Sequence, residues 1–123
     1  MQTQQNLVPE TSFIVDMAGQ NELVAVFEDD GDTGYLYLYD SKSCTILEDV
    51  HVYDRAQRVN VRPKDVDVIW SGDNTKCGVM IWGKMRAIID RKRDRPGRVW
   101  LESRDTPGVG DPDWLAGFEP HSH

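Results

Sequence analysis

The stretch Leu23–Asp40 reads LVAVFEDDGDTGYLYLYD, and it decides the fold. Two runs of aliphatic, β-branched and aromatic residues flank a loop of Gly and Asp, a pattern that predicts a β-hairpin with a longer-than-minimal loop. The first run is apolar at every position from Leu23 to Phe27, which indicates a strand covered on both faces and therefore central in a sheet. The second run alternates tyrosine with leucine, so one face of that strand carries the tyrosines. These are Tyr35, Tyr37 and Tyr39.

Short runs of the same kind recur along the chain, separated by turn residues. No run has the length and period of a helix of ten or more residues, but Asp111–Gly117 has an N-cap, a Pro at the first helical position and a Gly stop. We predict an all-β fold: an antiparallel meander sheet, or a small sandwich or barrel, of about seven or eight short strands with one short C-terminal helical turn. The other predicted strands are Ser12–Val15, Thr45–Leu47 resuming at Val50–Tyr53, Val66–Trp70, Cys77–Trp82, Arg86–Asp90 and Arg98–Glu102.

Length and composition indicate one globular domain. The chain has 123 residues, of which 39% are hydrophobic and 28% charged. We expect a single domain over 1–123 with a flexible N-terminal lead-in and a flexible C-terminal tail. No apolar run approaches the roughly 20 residues that span a bilayer, and the N-terminus lacks a signal peptide pattern, so we expect a cytoplasmic protein with no membrane partner.

The charge is unevenly distributed. The net charge is −7, and residues 1–41 contain eight acids and no Lys or Arg. Residues 42–98 contain 13 bases and eight acids, whereas the remainder has one Arg and five acids. The two halves either form separate acidic and basic faces or pair across strands, and the sequence leaves both arrangements open.

The hairpin loop offers an acidic candidate binding site at Asp29, Asp30 and Asp32. The loop does not match an EF-hand whether the motif is started at Asp29 or at Asp30. In each alignment a required Gly, a required carboxylate or the terminal Glu is missing, and the flanking helices are absent. A looser hard-cation site is an alternative, but we favour a plain turn in which Gly supplies positive φ and Asp caps backbone groups. We therefore predict no metal and no cofactor.

The basic cluster after Asp90 is a second candidate binding site. It contains Arg91, Lys92, Arg93 and Arg95, with Arg98, Lys84 and Arg86 near it in the sequence. Such a cluster can contact phosphates or an acidic partner. Acidic residues interrupt it and no aromatic residue is interleaved for base stacking, so nucleic-acid binding through residues 84–98 is the weaker alternative.

His51 is the one histidine outside the last three residues, and it lies between two valines in a predicted strand. A ligand-binding or hydrolytic site would need His51 together with nearby carboxylates in a cleft. A half-buried strand histidine fits the pattern better. We predict no catalytic residues, and the sequence leaves the question of an enzyme open while favouring none.

Three segments carry a resemblance: Val26–Tyr37, Ile46–Tyr53, and Val68–Asp73 through Arg86–Asp90. Together they resemble DUF2251, an uncharacterised family of bacterial proteins of unknown function. The resemblance covers roughly residues 23–90 and leaves the basic loop and the tail after Asp90 outside. It implies a bacterial protein, and it transfers no functional residue.

These observations favour a non-enzymatic protein-binding module, of inhibitor or immunity type. A small acidic all-β domain without a recognisable catalytic set fits that class, because acidic surfaces steer onto basic partners such as nucleases. We expect another protein as the partner. Homodimerisation through an exposed strand edge is an alternative.

Overall fold

The computed structural model describes residues 12–54 and 60–118. The first sheet has the strand order β1-β2-β3-β4 and the second β5-β6-β7-β8, all neighbours antiparallel. The predicted all-β meander fold is confirmed, in the form of two four-stranded sheets. The strands are β1 Phe13–Ala18, β2 Leu23–Asp29, β3 Thr33–Asp40, β4 Thr45–Asp54, β5 Val66–Trp70, β6 Lys76–Ile81, β7 Lys84–Asp90 and β8 Gly97–Arg98; a 3-10 turn spans Pro63–Asp65 and helix α1 spans Pro112–Leu115.

The predicted central hairpin is β2–β3, and its loop is held by its own side chains. The Asp30 Oδ1 atom accepts hydrogen bonds from the backbone N–H groups of Asp32 (2.9 Å) and Thr33 (2.8 Å). Gly31 has a φ of 100°, a conformation that glycine adopts without the penalty a Cβ brings. These backbone bonds lower the pKa of Asp30, since they favour its charged form.

Both sheets contribute to one hydrophobic core. Side chains alternate between the two faces of each strand. In β3, Leu36 and Leu38 are therefore buried, whereas the tyrosines that alternate with them lie on the outer side. Burial of these aliphatic and aromatic side chains is the main favourable term holding the two sheets together. Fully buried members are Ala25, Phe27, Leu36, Val52 and Tyr53 from the first sheet, and Val79, Ile81, Ala87 and Ile89 from the second.

Strand β4 departs from the prediction of two separate segments. It is continuous from Thr45 to Asp54, and it absorbs its irregularity as two register shifts against β3, between Gly34 and Tyr35 and between Leu38 and Tyr39. A bulge of this kind leaves an extra residue unpaired without ending the strand. The predicted last strand is also shorter, because the chain leaves the ladder after Arg98.

The chain beyond β8 joins the two sheets along one side. The N–H of Val99 donates to the Arg86 carbonyl (2.9 Å) on β7, and the N–H of Leu101 donates to the Val52 carbonyl (3.1 Å) on β4. On the other side, the Trp70 indole N–H donates to the Met17 carbonyl (2.9 Å). The sheets are thus connected at both lateral edges.

Two buried cations hold the C-terminal segment on the second sheet. The Lys76 Nζ atom donates to three carbonyls at the end of α1, those of Asp113 (2.7 Å), Ala116 (2.9 Å) and Trp114 (3.3 Å). Arg86 is fully buried, its guanidinium donates to carbonyls rather than to a carboxylate, and burial lowers its pKa. Those carbonyls belong to Ile81, Arg104, Thr106 and Pro107.

The predicted helical turn is confirmed with its signals. The Asp111 carboxylate accepts a hydrogen bond from the Asp113 N–H (2.8 Å), the helix begins at Pro112, and Gly117 follows its end with a φ of 94°. Among the residues described, no helix combines the length and the apolar character that crossing a membrane requires. The expected lead-in before residue 12, the last five residues and most of the expected loop over 54–60 lie outside the described residues.

Candidate functional site

The outer face of the first sheet carries the most distinctive arrangement of side chains. The strand register aligns its residues in three rows that cross β1, β2, β3 and β4, and each row has a tyrosine on β3. We call this surface the tyrosine face. Its rows are Ile14, Glu28, Tyr35 and His51; Asp16, Val26, Tyr37 and Asp49; and Ala18, Val24, Tyr39 and Ile46.

Carboxylates surround the central tyrosine. The Tyr37 hydroxyl donates to the Glu28 Oε1 atom (3.3 Å), and the Tyr35 and Tyr37 ring centroids are 5.8 Å apart. Burial, followed by the negative charge of Glu28, raises the pKa of Tyr37 to about 12. Burial and the same carboxylate also raise the pKa of Tyr35. The hydroxyls are therefore neutral hydrogen-bond donors beside negative charges at physiological pH.

Apolar residues at the border of the tyrosine face are exposed. Ile14 is 57% exposed on β1, and Ile46 and Leu47 are each 52% exposed on β4. No Lys or Arg occupies any of the three rows, and the one Lys between residues 12 and 54 is Lys42, in the turn before β4. The face therefore combines aromatic, apolar and negatively charged groups without a neutralising cation on it.

His51 closes one end of this face. Its Nε2 atom lies 2.9 Å from Asp54 Oδ1 and 3.2 Å from the Tyr53 carbonyl oxygen. Its ring meets Trp100 edge-on, with centroids 4.7 Å apart, and its side chain is 41% exposed. His51 thus has a carboxylate partner, as an acid–base site would need, but it lies on the sheet surface and does not line the groove beside the β7–β8 loop described below.

The three acids predicted as a binding site are placed differently from one another. Asp29 is fully buried, and its Oδ2 atom accepts a hydrogen bond from the Tyr53 hydroxyl (2.5 Å). Asp30 is exposed and caps the hairpin loop, and Asp32 is exposed at its tip. Within residues 12–54 and 60–118, no group of three His, Cys, Asp or Glu side chains is placed to hold a metal ion.

The predicted basic residues gather at the β7–β8 loop. Lys92, Arg93 and Arg95 line an open groove, whereas Arg91 points its guanidinium at the Asn74 carbonyl (3.4 Å). The groove's opposite wall is the segment before α1, which includes Trp114. No sequence pattern indicates this aromatic neighbour, because 16 residues separate Gly97 from Trp114 and the chain crosses to the first sheet between them.

The tryptophans belong to contacts between segments, not to a common exposed patch. All four are half-buried. Three lie beneath arginine guanidinium groups, and the fourth is Trp70, bonded to Met17. The arginine pairs are Arg93 with Trp114, Arg98 with Trp100 and Arg104 with Trp82, at 4.3, 5.3 and 4.8 Å from guanidinium carbon to ring centroid.

The ion pairs among the described residues do not join the acidic segment before residue 42 to the basic residues that follow it. In the described parts of the chain the ion pairs are local, namely His51 with Asp54 and Arg93 with Asp90. Neither joins a carboxylate of the first sheet to a Lys or Arg of the second.

Comparison with known proteins gives one match. A family model described as an uncharacterised protein conserved in bacteria matches residues 7–97. No curated protein and no solved structure matches the chain. The match is longer than the 23–90 that the resemblance covers, and it also includes the basic loop through Gly97. The tyrosine face lies wholly within it, whereas the groove wall at Trp114 lies beyond it.

Proposed function

The chain belongs to DUF2251, a family of uncharacterised proteins conserved in bacteria, and since that description assigns no activity, we propose from its surface that it is a non-enzymatic module that binds a basic protein on the tyrosine face. The observation that carries this proposal is the set of three cross-strand rows, each with a tyrosine and together with three carboxylates and no cation. The region that forms these rows lies inside the family match.

The composition of the face supports protein binding. Tyrosine is enriched at the energetically dominant positions of protein interfaces, because it buries a large ring while its hydroxyl still finds a hydrogen-bond partner. Tyr37 is such a residue, central in the face and bonded to Glu28. The exposed side chains of Ile14 and Ile46 extend the apolar area at its border. The backbone of a hydrogen-bonded sheet is already organised before a partner arrives, which reduces the entropy lost on binding.

The charges favour a basic partner. Asp16, Glu28 and Asp49 lie in the same or adjacent rows as Tyr37. Partner arginines can pair with these carboxylates and stack on the tyrosine rings, which combines charge-assisted hydrogen bonds with cation–π contact. An acidic surface also attracts a basic protein at a distance and increases its association rate.

This chemistry supports an inhibitory or immunity-type role in the bacterial cytoplasm. A basic protein that acts on nucleic acid uses its positive surface to hold phosphates. A module that covers this surface with carboxylates and tyrosines would block it by direct competition. The partner class proposed here is therefore a nucleic-acid-binding protein with a basic active surface.

Charge reversal on the face tests the proposal. Asp16→Lys combined with Asp49→Lys should abolish capture of basic proteins from extract of the source bacterium, because the substitutions place cations in the central row. Asp67→Lys is the matched control, since Asp67 is an exposed strand aspartate on the second sheet. Captured proteins are to be quantified by mass spectrometry. Equal capture by the wild type, the double variant and the control would contradict the proposal.

A hydrolytic or ligand-binding site at His51 is the second candidate. The 2.9 Å contact between His51 and Asp54 favours it, because a carboxylate partner orients an imidazole for proton transfer. However, both described hydrogen bonds of the His51 side chain are to Asp54 and a backbone carbonyl, so neither supplies a hydroxyl or thiol nucleophile. Turnover of ester or phosphodiester substrates that is lost in His51→Gln would establish this candidate, and absence of turnover would remove it.

A further inference from the structure

An open groove of about 970 Å³ lies between the β7–β8 loop and the segment that precedes α1, and none of its lining residues belongs to the three rows of the tyrosine face. Four cations line it against two carboxylates, in a chain whose net charge is −7. We call it the basic groove. Its charged residues are Lys92, Arg93, Arg95 and Arg98, with Asp94 and Asp111.

Side-chain contacts between particular residues hold the walls of the basic groove in place. Asp90, which is 5% exposed, accepts hydrogen bonds from the Lys92 backbone N–H (3.0 Å) and from Arg93 Nε (3.1 Å). The Arg93 guanidinium carbon lies 4.3 Å from the Trp114 ring centroid. Gly97 lets the Trp114 ring pack directly against the backbone of β8, since a Cβ at this position would be 2.6 Å from the ring. These contacts hold the two walls together.

Two of the cations have no partner within the described residues. The side chains of Lys92 and Arg95 are exposed, and they make no hydrogen bond or ion pair to any residue in 12–54 or 60–118. Arg98 uses one guanidinium nitrogen on the His51 carbonyl (2.9 Å), which leaves its other donors available. Unpaired cations on one concave surface attract and concentrate an anionic ligand.

The form of the groove distinguishes between anionic ligands. Binding to single-stranded nucleic acid relies on aromatic rings that are free to stack on bases. Trp114 is the one aromatic residue in the lining, and its ring already contacts Gly97 and the Arg93 guanidinium. Pro96, Val99 and Val109 add apolar surface between the charges. Alternating charged and apolar contacts suit a polypeptide that carries both carboxylates and aliphatic side chains.

We propose that the basic groove binds an acidic segment of a partner polypeptide, with Lys92 and Arg95 as the residues that pair with its carboxylates. This proposal stands independently of the tyrosine face, because it rests on a different surface with the opposite charge. Arg93 is a positioning residue that joins the two walls. The groove requires the chain beyond Gly97, so its second wall is not part of the region matched by the family.

The test uses a fluorescein-labelled peptide of alternating Glu and Val, titrated with the full chain while anisotropy is measured at low salt. Lys92→Glu combined with Arg95→Glu should weaken binding about tenfold or more, because two attractive contacts become repulsive. The matched control is Arg62→Glu with Lys64→Glu, which makes the same charge change at exposed residues of the 3-10 turn and should bind as the wild type does. Added NaCl should weaken binding in the wild type.

Four results would overturn the proposal. One is the absence of saturable binding to the peptide. A second is equal loss of affinity in the two double variants, which would indicate a response to overall charge. The third is tighter binding of a single-stranded oligonucleotide than of the peptide, which would assign the groove to nucleic acid. Sedimentation of the unliganded chain completes the test, because self-association blocked by the peptide would identify a second copy as the occupant and would also overturn it.

Discussion

Tyr53 and Asp29 form a hydrogen bond of 2.5 Å inside the core, from the Tyr53 hydroxyl to the Asp29 Oδ2 atom, and neither side chain is exposed to solvent. The contact joins β4 to the end of β2, across the intervening strand β3. Asp29 Oδ1 also accepts from the Gly31 N–H (2.8 Å). A residue that the sequence suggested for ligand binding therefore anchors the hairpin on which the tyrosine face is built.

Removal of the Tyr53 hydroxyl should destabilise the fold. In Tyr53→Phe the buried Asp29 carboxylate loses a donor, and we expect the free energy of unfolding to fall by about 1–3 kcal/mol. Urea denaturation followed by circular dichroism measures this difference. Tyr39→Phe is the control, since it removes a hydroxyl from a half-exposed ring on the outer face and should change stability by less than about 0.5 kcal/mol. Equal stability of Tyr53→Phe and the wild type would contradict this assignment.

The first sheet was the part of the fold most accessible to sequence reasoning. Strict alternation of tyrosine with leucine over Tyr35–Tyr39 predicts which side chains face outward, because side chains in a strand alternate with a period of two. The hydrophobic run of β2 likewise predicted an interior strand. Alternation alone does not say which carboxylates stand beside Tyr37, because that depends on the register between strands. The acidic surround of the tyrosines was therefore visible only in the structure.

Lys76 should hold the end of α1 against the second sheet. In Lys76→Met the carbonyls of Asp113, Trp114 and Ala116 lose their shared donor while the volume of the side chain is approximately kept. We expect a loss of about 1.5–3 kcal/mol, since hydrogen bonds to charged groups are stronger than average. Hydrogen exchange should show faster exchange over residues 112–118. Lys64→Met, at an exposed lysine, should leave exchange there unchanged; faster exchange in both variants would exclude a specific role for Lys76.

Arg86 should be replaceable neither by an apolar residue nor by lysine. Its guanidinium donates to carbonyls of Ile81, Arg104 and Pro107 at 3.3, 3.3 and 3.4 Å, and to that of Thr106. Arg86→Met leaves several buried acceptors without a donor, and we expect a loss of about 2–4 kcal/mol. Arg86→Lys keeps the charge but loses the planar, multi-donor guanidinium. It should therefore also destabilise the fold and lower the melting temperature in thermal unfolding. The control Arg95→Lys, at an exposed arginine whose side chain makes no hydrogen bond or ion pair to the described residues, should be nearly neutral. A wild-type melting temperature for Arg86→Lys would show that charge alone suffices.

The two buried cations, Lys76 and Arg86, could not be predicted from the sequence. Lys76 and Arg86 occupy strands β6 and β7, where a charged residue normally indicates a solvent-facing position, yet both are buried. Their partners are backbone carbonyls between residues 81 and 116, and carbonyl positions leave no signature in the sequence. The same reason explains why the groove beside Trp114 could not be predicted: it depends on how the C-terminal segment docks.

The ionisation of Tyr37 reports directly on the acidic surround. Its pKa of about 12 lies above the ordinary value of 10, from burial first and the Glu28 charge second. Because the folded state favours the neutral hydroxyl, Tyr37 contributes to the free energy of unfolding. This contribution is complete below pH 10 and is lost as the pH rises to about 12. In Glu28→Gln the pKa should fall but remain above 10, since burial persists. Nuclear magnetic resonance titration of the Tyr37 ring signals measures the shift for this residue apart from the other tyrosines. Asp67→Asn should leave it unchanged, and an unaltered pKa in Glu28→Gln would mean that this carboxylate does not act on Tyr37.

The central claim is that the tyrosine face binds a basic protein, and calorimetric titration of a purified captured partner tests it most directly. Tyr37→Ala should weaken binding about thirtyfold or more, as expected for a central interface tyrosine worth about 2 kcal/mol. Asp16→Lys should also weaken binding, and its effect should be larger at low salt than at high salt. Asp67→Lys should bind with wild-type affinity. If the wild type and all three variants bind this partner equally tightly, the tyrosine face is not the binding surface.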